Sequence, residues 1–335
     1  YVLIMRLLSP RKIKVGSIGT IEFEKGYYGY AGSAMGPGGL PARLRRHFIT
    51  EKKQHWHIDY LRPQSLITEI WHSPGTCNLE HAAASALRST GRPITGFGSS
   101  DCSCATHLIN IHGKPSLSRF RERIDSPTGL NSAWSSSGPI GTPVLVISKC
   151  LTGFNCRYDS ELIDSATVEK LWKMATILPV CPELEMGFTV PREPIDIIIS
   201  GGIRQLIHSG TGEDLTDRIK EFSGRFLSRL ERVHGFIMKG RSPSCGIADT
   251  PISGNESMTG DGFFSAAALK KFPGLPAANI EELGQPEPLA EFLESALRAA
   301  SEQVPARKGE GTETLEDLWI REHAGVMARY LLEGD

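Results

Sequence analysis

Three stretches decide how this chain folds: TPVLVISKC (residues 142–150), ATILPVCPE (175–183) and HGFIMKGRSPSCG (234–246). Each is a short apolar run, of strand length, that ends in a loop bearing a cysteine: Cys150, Cys181 or Cys245. Helical patterns separate them, TVEKLWKMA (167–175) and DLTDRIKEFSGRFLSRLERV (214–233). Alternating strand and helix predict a parallel sheet with right-handed crossovers. All strands of such a sheet point one way, so the loops that follow them share one edge, where open α/β sheets bind ligands. Cysteines 31 and 95 residues beyond Cys150 are therefore expected to converge with it.

Converging thiolates are soft ligands that suit zinc or an iron–sulfur cluster. Cys156 is a possible fourth. Four ligands close a site; three leave one metal corner open for chemistry. Glu183 lies two residues after Cys181, and Ser242 and Ser244 just precede Cys245. As catalytic groups they would activate or orient water. The bland alternative is a helix-capping glutamate and a serine turn. Arg157, Asp159, Arg192 and Arg241 are candidates for holding substrate, and the arginines could equally pair with local carboxylates.

Outward from this core, DSPTGLNSAWSSSGPIGTP (125–143) has 11 Ser, Gly or Pro among 19 residues and reads as a linker. It coincides with a change of charge sign. Residues 1–124 carry 17 Lys and Arg against 8 Asp and Glu, +9; residues 125–335 carry 20 against 30, −10. The basic half could face a nucleic acid or simply be a soluble basic surface. The expected organisation is a first domain (1–124), a linker (125–142), a second domain (143–286) and a helical C-terminal extension (287–335). Leu289, Phe292, Leu293, Ala296, Leu297 and Ala300 in that extension recur at helical spacing. A final helix is expected around Leu315, Leu318 and Trp319. No internal repeat is evident.

The first half shows YVLIMRL, IKVGSIGTIEF and GYYGYAGSA as short strands with glycine turns, then GPGGLPARLRRHFI as a helix. On that helix Leu40, Leu44 and Phe48 share a stripe, Arg43 flanks it, and Arg45 and Arg46 point away to solvent. CNLEHAAASAL reads as a helix with Asn78 as N-cap and Glu80 in its first turn. Cys102, Cys104 and His107 could hold Zn²⁺, with Cys77 or His57 completing the set, or could be small buried residues. No apolar run spans a bilayer, so no membrane partner is expected. Seven sparse cysteines and an opening that reads as a buried strand point to reduced thiols in the cytoplasm.

Two resemblances add to this reading. Tyr30-Ala31-Gly32, GPGGLPARLRRH, HWHIDYL and GFGSSDCSCATHL resemble the Uri-type branch of the GIY-YIG endonuclease family across residues 1–112. That resemblance implies a small α+β domain that binds or cuts nucleic acid. It places phosphate stabilisation on Arg43, a Mg²⁺ ligand on Glu80 and water activation on Tyr1 and Tyr30. CLTGFNCRYD, PVCPE, PRE, GEDLT and GRSPSCG resemble, in order and spacing, the thiouracil desulfidase family across residues 144–283. This implies a 4Fe–4S cluster on Cys150, Cys181 and Cys245, and hydrolytic, non-redox removal of sulfur from a thiolated base, nucleoside or tRNA. Glu183, Ser242 and Ser244 fall on its catalytic polar positions, and Cys156 is a spare. The chain departs from that pattern with Ser160 where glycine usually follows the Asp, and with Asp196 where Glu is common. The rival expectations are a metal-dependent endonuclease whose iron–sulfur module is structural, and a nucleic-acid-binding protein with a sensory cluster.

Overall fold

In the first half the glycine-punctuated apolar runs become strands β1 (Val2–Leu7), β2 (Arg11–Val15), β3 (Gly19–Phe23) and β4 (Gly26–Ala31). They are followed by α1 (Gly39–Phe48), α2 (His57–Leu61), β5 (Leu66–His72), α3 (Glu80–Arg88), β6 (Gly91–Pro93), β7 (Leu108–Ile111), α4 (Leu117–Arg121) and β8 (Ser135–Ser137). The computed structural model describes residues 1–73, 79–100, 102–124, 134–137, 142–163, 165–172, 174–253, 255–301 and 315–332. An antiparallel sheet runs in the order β6-β7-β4-β1-β5-β8, and β2 and β3 form a separate hairpin. The apolar stripe of α1 packs as its spacing predicts: Leu44 and Phe48 are buried beside Leu3, Tyr30 and Ile70.

The second half holds β9 (Val144–Ser148), α5 (Ala166–Leu171), β10 (Thr176–Val180), α6 (Pro182–Glu185), β11 (Ile195–Ser200), β12 (Ile203–His208), α7 (Thr216–Ser228) and β13 (Gly235–Met238). After these come β14 (Thr250–Ser253), β15 (Asn255–Gly260), α8 (Phe263–Lys271), β16 (Ala277–Asn279), α9 (Pro286–Ala300) and finally α10 (Leu315–Leu332). One sheet, β10-β9-β13-β16, is parallel throughout, as the strand–helix alternation predicts. A second, mixed sheet runs β12-β11-β14-β15. The strand–helix reading did not anticipate it. Its signal lies in Ile195–Ser200 and Ile203–His208, which flank Gly201-Gly202, both at positive φ, as a two-residue hairpin turn requires.

The chain divides into two compact units, residues 1–141 with 306–330 and residues 142–305 with 331–335. Within the stretch read as linker, Trp134 is buried against Phe120, and Ser135–Ser137 pairs with β5 in the first unit's sheet. Serine composition hid that strand because its edge position needs no apolar alternation. The C-terminal stretch also divides. All six periodic residues of α9 are buried, and that helix belongs to the second unit. Helix α10 belongs chiefly to the first: Trp319 stacks on Phe48 with ring centroids 5.5 Å apart and donates to the Ile67 carbonyl at 2.9 Å.

Candidate active site

In the parallel sheet β9 lies between β10 and β13. The chain leaves β9 toward β10, and leaves β13 toward β16 on the other side. The β9/β13 boundary is therefore a topological switch point, where loops diverge and open a crevice. The three cysteine loops stand there. Cys150 lies in the 3₁₀ turn Lys149–Thr152 after β9, Cys181 caps α6 after β10, and Cys245 lies in the turn after β13. All three line one cavity of about 360 Å³, together with Cys156, Tyr158, Glu183, Arg192, Asp196, Arg241 and Ser242. The expected convergence is present.

Cys156 is part of that group. It is buried, its carbonyl accepts from the Cys181 thiol at 3.8 Å, and its own thiol neighbours those of Cys150 and Cys181. The contact with Cys150 pushes the Cys156 thiol up to about 11. Contact with Cys156, then burial, raises Cys181 further, and burial pushes Cys245 up to about 12. Crowded protonated thiols of this kind lose their protons to solvent when they bind a metal. The thiols of Cys150, Cys181 and Cys245 are not gathered within the 4.8 Å that brings a single ion's donors together. A multi-iron cluster separates its ligands more widely than one ion does, and the all-sulfur donor set suits it.

Glu183 is held at both oxygens. Arg192 donates to Oε2 from Nε at 2.8 Å and from a terminal nitrogen at 2.5 Å, and Ser244 donates to Oε1 at 3.1 Å. The pair is largely buried, with side chains 14% and 5% exposed. A further hydrogen bond from Arg192 reaches the Cys156 carbonyl at 3.0 Å. Arg192 therefore positions the carboxylate, the ion-pair alternative to its substrate role. Arg157 is similarly engaged: its guanidinium grips Asp159 through two hydrogen bonds, one of 2.9 Å. That contact raises the arginine and holds the Asp159 carboxyl well below the usual carboxylate range.

The serines divide their work. Ser242 accepts the Cys245 N–H at 3.1 Å and so shapes the cysteine turn, while Ser244 is fully buried against Glu183. The turn presses on the start of α8. A Cβ on Gly262 would stand 2.6 Å from the Ser244 backbone, which only glycine avoids. Arg241, exposed at the rim, adopts φ +60° on the cavity wall and donates its N–H to Asp249. Ser160 has φ +62°, a left-handed conformation that explains why glycine usually stands there. Asp196 lines the cavity and accepts from Ser209 at 2.6 Å.

The second unit's sequence has clear relatives. Residues 145–279 match the family described as 2-thiouracil desulfurase. The uncharacterized protein YbbK of Bacillus subtilis (strain 168) is 34% identical over 152 residues, which cover 42% of this chain and 97% of that protein. This half of the chain belongs to the 2-thiouracil desulfurase family. A solved structure of the [4Fe-4S]-dependent thiouracil desulfidase TudS is 26% identical and covers 42% of this chain and 93% of that one, with a TM-score of 0.33. Residues 1–126 match a family described as a domain of unknown function, DUF123. The desulfurase match spans all three cysteines, Glu183 and the serine turn.

The first unit has a cavity of its own, about 270 Å³, lined by Tyr1, Tyr30, Arg43, Trp56, Glu80 and neighbours. The four residues singled out for phosphodiester chemistry therefore meet. Burial pushes the Tyr1 phenol well up, so it is protonated at neutral pH, and it lies 2.6 Å from His47 Nε2. Arg43 stands over the Trp56 ring at 5.0 Å. Arg46 does not point free to solvent. Its guanidinium is 2.7 Å from the buried Asp59, which Lys52 also approaches at 3.1 Å. A buried carboxylate demands such compensation, and the helical spacing of Arg46 alone could not show it. Arg45 is exposed, as expected. Helix α3 begins at Glu80 with Leu79 as its cap residue; Asn78 and Cys77 lie outside the described residues. His57 accepts from the Gly98 N–H at 3.0 Å. The side chain that gathers with Cys102, Cys104 and His107 is instead His81, which sequence spacing did not single out. Its position one residue after Glu80, in the first turn of α3, was the available signal. Among the described residues no helix is long and apolar enough to cross a membrane.

Proposed function

We propose that this protein is an iron–sulfur-dependent, non-redox desulfidase acting on a thiolated pyrimidine, as a base, a nucleoside or within tRNA. The observation that carries this is the meeting of Cys150, Cys181, Cys245 and a doubly held Glu183 on one cavity at the sheet's switch point. Cys150, Cys181 and Cys245 would hold a 4Fe–4S cluster, with Cys156 beside it as a non-ligand. When bound, the cluster supplies a Lewis-acidic iron for a thiocarbonyl sulfur. Glu183 takes the proton of the attacking water, with Arg192 and Ser244 fixing its two oxygens toward the cavity. Tyr158, 45% exposed at the cavity wall, offers a ring face to the pyrimidine, and Arg241 at the rim offers a donor to its edge. The net reaction exchanges C=S and water for C=O and hydrogen sulfide, so no electron donor enters.

Anaerobically prepared full-length protein should contain iron and acid-labile sulfide, absorb in the visible, and convert 2-thiouracil. Alanine at Cys150, Cys181 or Cys245 should abolish both absorption and conversion. Colourless, iron-free protein that still converts 2-thiouracil would refute the cluster.

A second reading concerns the first unit and rests on Tyr1, Tyr30, Arg43 and Glu80 lining one cavity. It takes a phosphodiester, with Arg43 as the clamp and Glu80 as the carboxylate for Mg²⁺ when the strand is cut. The +9 charge of residues 1–124 supports nucleic acid as that ligand. Mg²⁺-dependent nicking that disappears in Glu80→Ala supports cleavage; salt-sensitive binding without nicking leaves a delivery role.

A further inference from the structure

His81 in the first turn of α3, and Cys102, Cys104 and His107 in the loop between β6 and β7, present four ligand atoms all within 4.8 Å of one another. His81 Nδ1 is 3.1 Å from Cys104 Sγ, and His107 Nε2 is 3.4 Å from Cys102 Sγ. A tetrahedral zinc ion, ~2.3 Å from sulfur and ~2.0–2.1 Å from nitrogen, sets its donors roughly 3.3–3.8 Å apart. The observed spacings need little adjustment to accept one. A two-iron cluster with two cysteines and two histidines places each pair on a different iron, and so spreads its donors more widely.

The surroundings fit a bound cation. On the far side of the His107 ring, Glu80 Oε1 approaches Nδ1 at 3.1 Å, near enough for an ion pair though off the line of a hydrogen bond. A carboxylate behind a ligating imidazole fixes its tautomer and leaves Nε2 to face the metal. His107 is buried, the two cysteines are half-buried and His81 is exposed, so the site lies at the edge of the unit with a path for entry. The described residues between β6 and β7 form no strand or helix of their own, and a clip would tie that loop to α3.

We propose that His81, Cys102, Cys104 and His107 form a closed tetrahedral Zn²⁺ site, with Glu80 orienting His107, that clips this loop to the start of α3. Glu80 also lines the first unit's cavity, so the clip sets the position of that wall. The site is separate from the desulfidase cysteines and stands whether or not that activity does.

The test uses full-length protein and a full-length Cys150→Ala/Cys181→Ala/Cys245→Ala variant, which removes the other thiol group as a place for zinc. Both are purified from zinc-supplemented cells, and zinc and iron are measured per chain. The expected result is one zinc per chain in the triple variant, with no iron. Adding Cys102→Ser and Cys104→Ser should remove it. Because that change could unfold the loop, His81→Ala serves as a milder variant at an exposed position. Anaerobic Co²⁺ titration of the triple variant should give the absorption of a tetrahedral two-thiolate site, weakened and altered by His81→Ala. Glu80→Gln should keep the stoichiometry and lower affinity ~10–100-fold against a chromophoric chelator. A triple variant that carries no zinc and binds no Co²⁺ would overturn the proposal. So would iron in place of zinc, or zinc undiminished by the Cys102 and Cys104 changes.

Discussion

Glu183 keeps its place through two partners on separate segments, Arg192 nine residues on and Ser244 in the cysteine turn. Such double anchoring is more than a helix cap needs, and it motivates a catalytic role. Glu183→Gln keeps the shape and both contacts in altered form; the expected outcome is an intact visible spectrum with sulfide release reduced ~100-fold or more, the size of a lost acid–base group. Near-normal turnover in a cluster-replete variant would return Glu183 to a structural role. Cys156 makes a different prediction. Its thiol neighbours those of Cys150 and Cys181, yet an open iron requires only three protein ligands. Cys156→Ala should therefore keep the chromophore; its loss would mean four-cysteine ligation and a closed cluster. At this scale the sequence was informative about which residues meet and poor about which partners they hold. Arg157 and Arg192 read equally as substrate ligands or as partners of local carboxylates, because linear order alone does not choose between the two; both are engaged by carboxylates, Asp159 and Glu183.

Helix α1 shows what a periodic pattern can and cannot reveal. Its apolar stripe was legible, and so was the exposure of Arg45. The burial of His47 was not, since it depends on Trp56, Tyr1 and Tyr30 arriving from other segments. Burial, aided by Lys52 and Arg62, lowers His47 to about 3. An imidazole in the unfolded chain titrates near 6.5. Between those values the unfolded state binds the extra proton. Stability is therefore fully present above about pH 6.5 and is lost as the pH falls toward about 3, at up to ~1.4 kcal/mol per pH unit. Denaturant titrations of the first unit's tryptophan signal at pH 7 and pH 5 should show the lower midpoint at pH 5. His47→Phe should reduce that difference, the remainder belonging to His323 of the same unit, which burial lowers to about 4; an unchanged difference would assign the acid sensitivity elsewhere. The parallel sheet was legible for a related reason, because strand–helix alternation is written in local order. The mixed sheet was harder, because β11 pairs with β14 across some fifty intervening residues.

On the scale of the whole chain, the +9 of residues 1–124 lies within the first unit, and the −10 belongs to residues 125–335, most of which form the second. If the first unit binds nucleic acid, log affinity should fall with log salt by ~0.7–0.9 per phosphate neutralised. Arg45→Ala should lower that slope by about one contact without loss of fold. Arg46→Ala should instead destabilise the unit, because it leaves Asp59 buried with less compensation. Salt-independent binding, or none at low salt, would remove nucleic acid from the account and leave the desulfidase acting on free bases. One product balance tests desulfuration most directly. Anaerobically reconstituted protein is incubated with 2-thiouracil, without any reductant, and uracil and sulfide are counted together over many turnovers. Non-redox desulfuration gives equal amounts of both, growing with time and absent in Cys245→Ala. Uracil without sulfide, a single turnover that stops until a reductant is added, or no product at all from cluster-replete protein would contradict it.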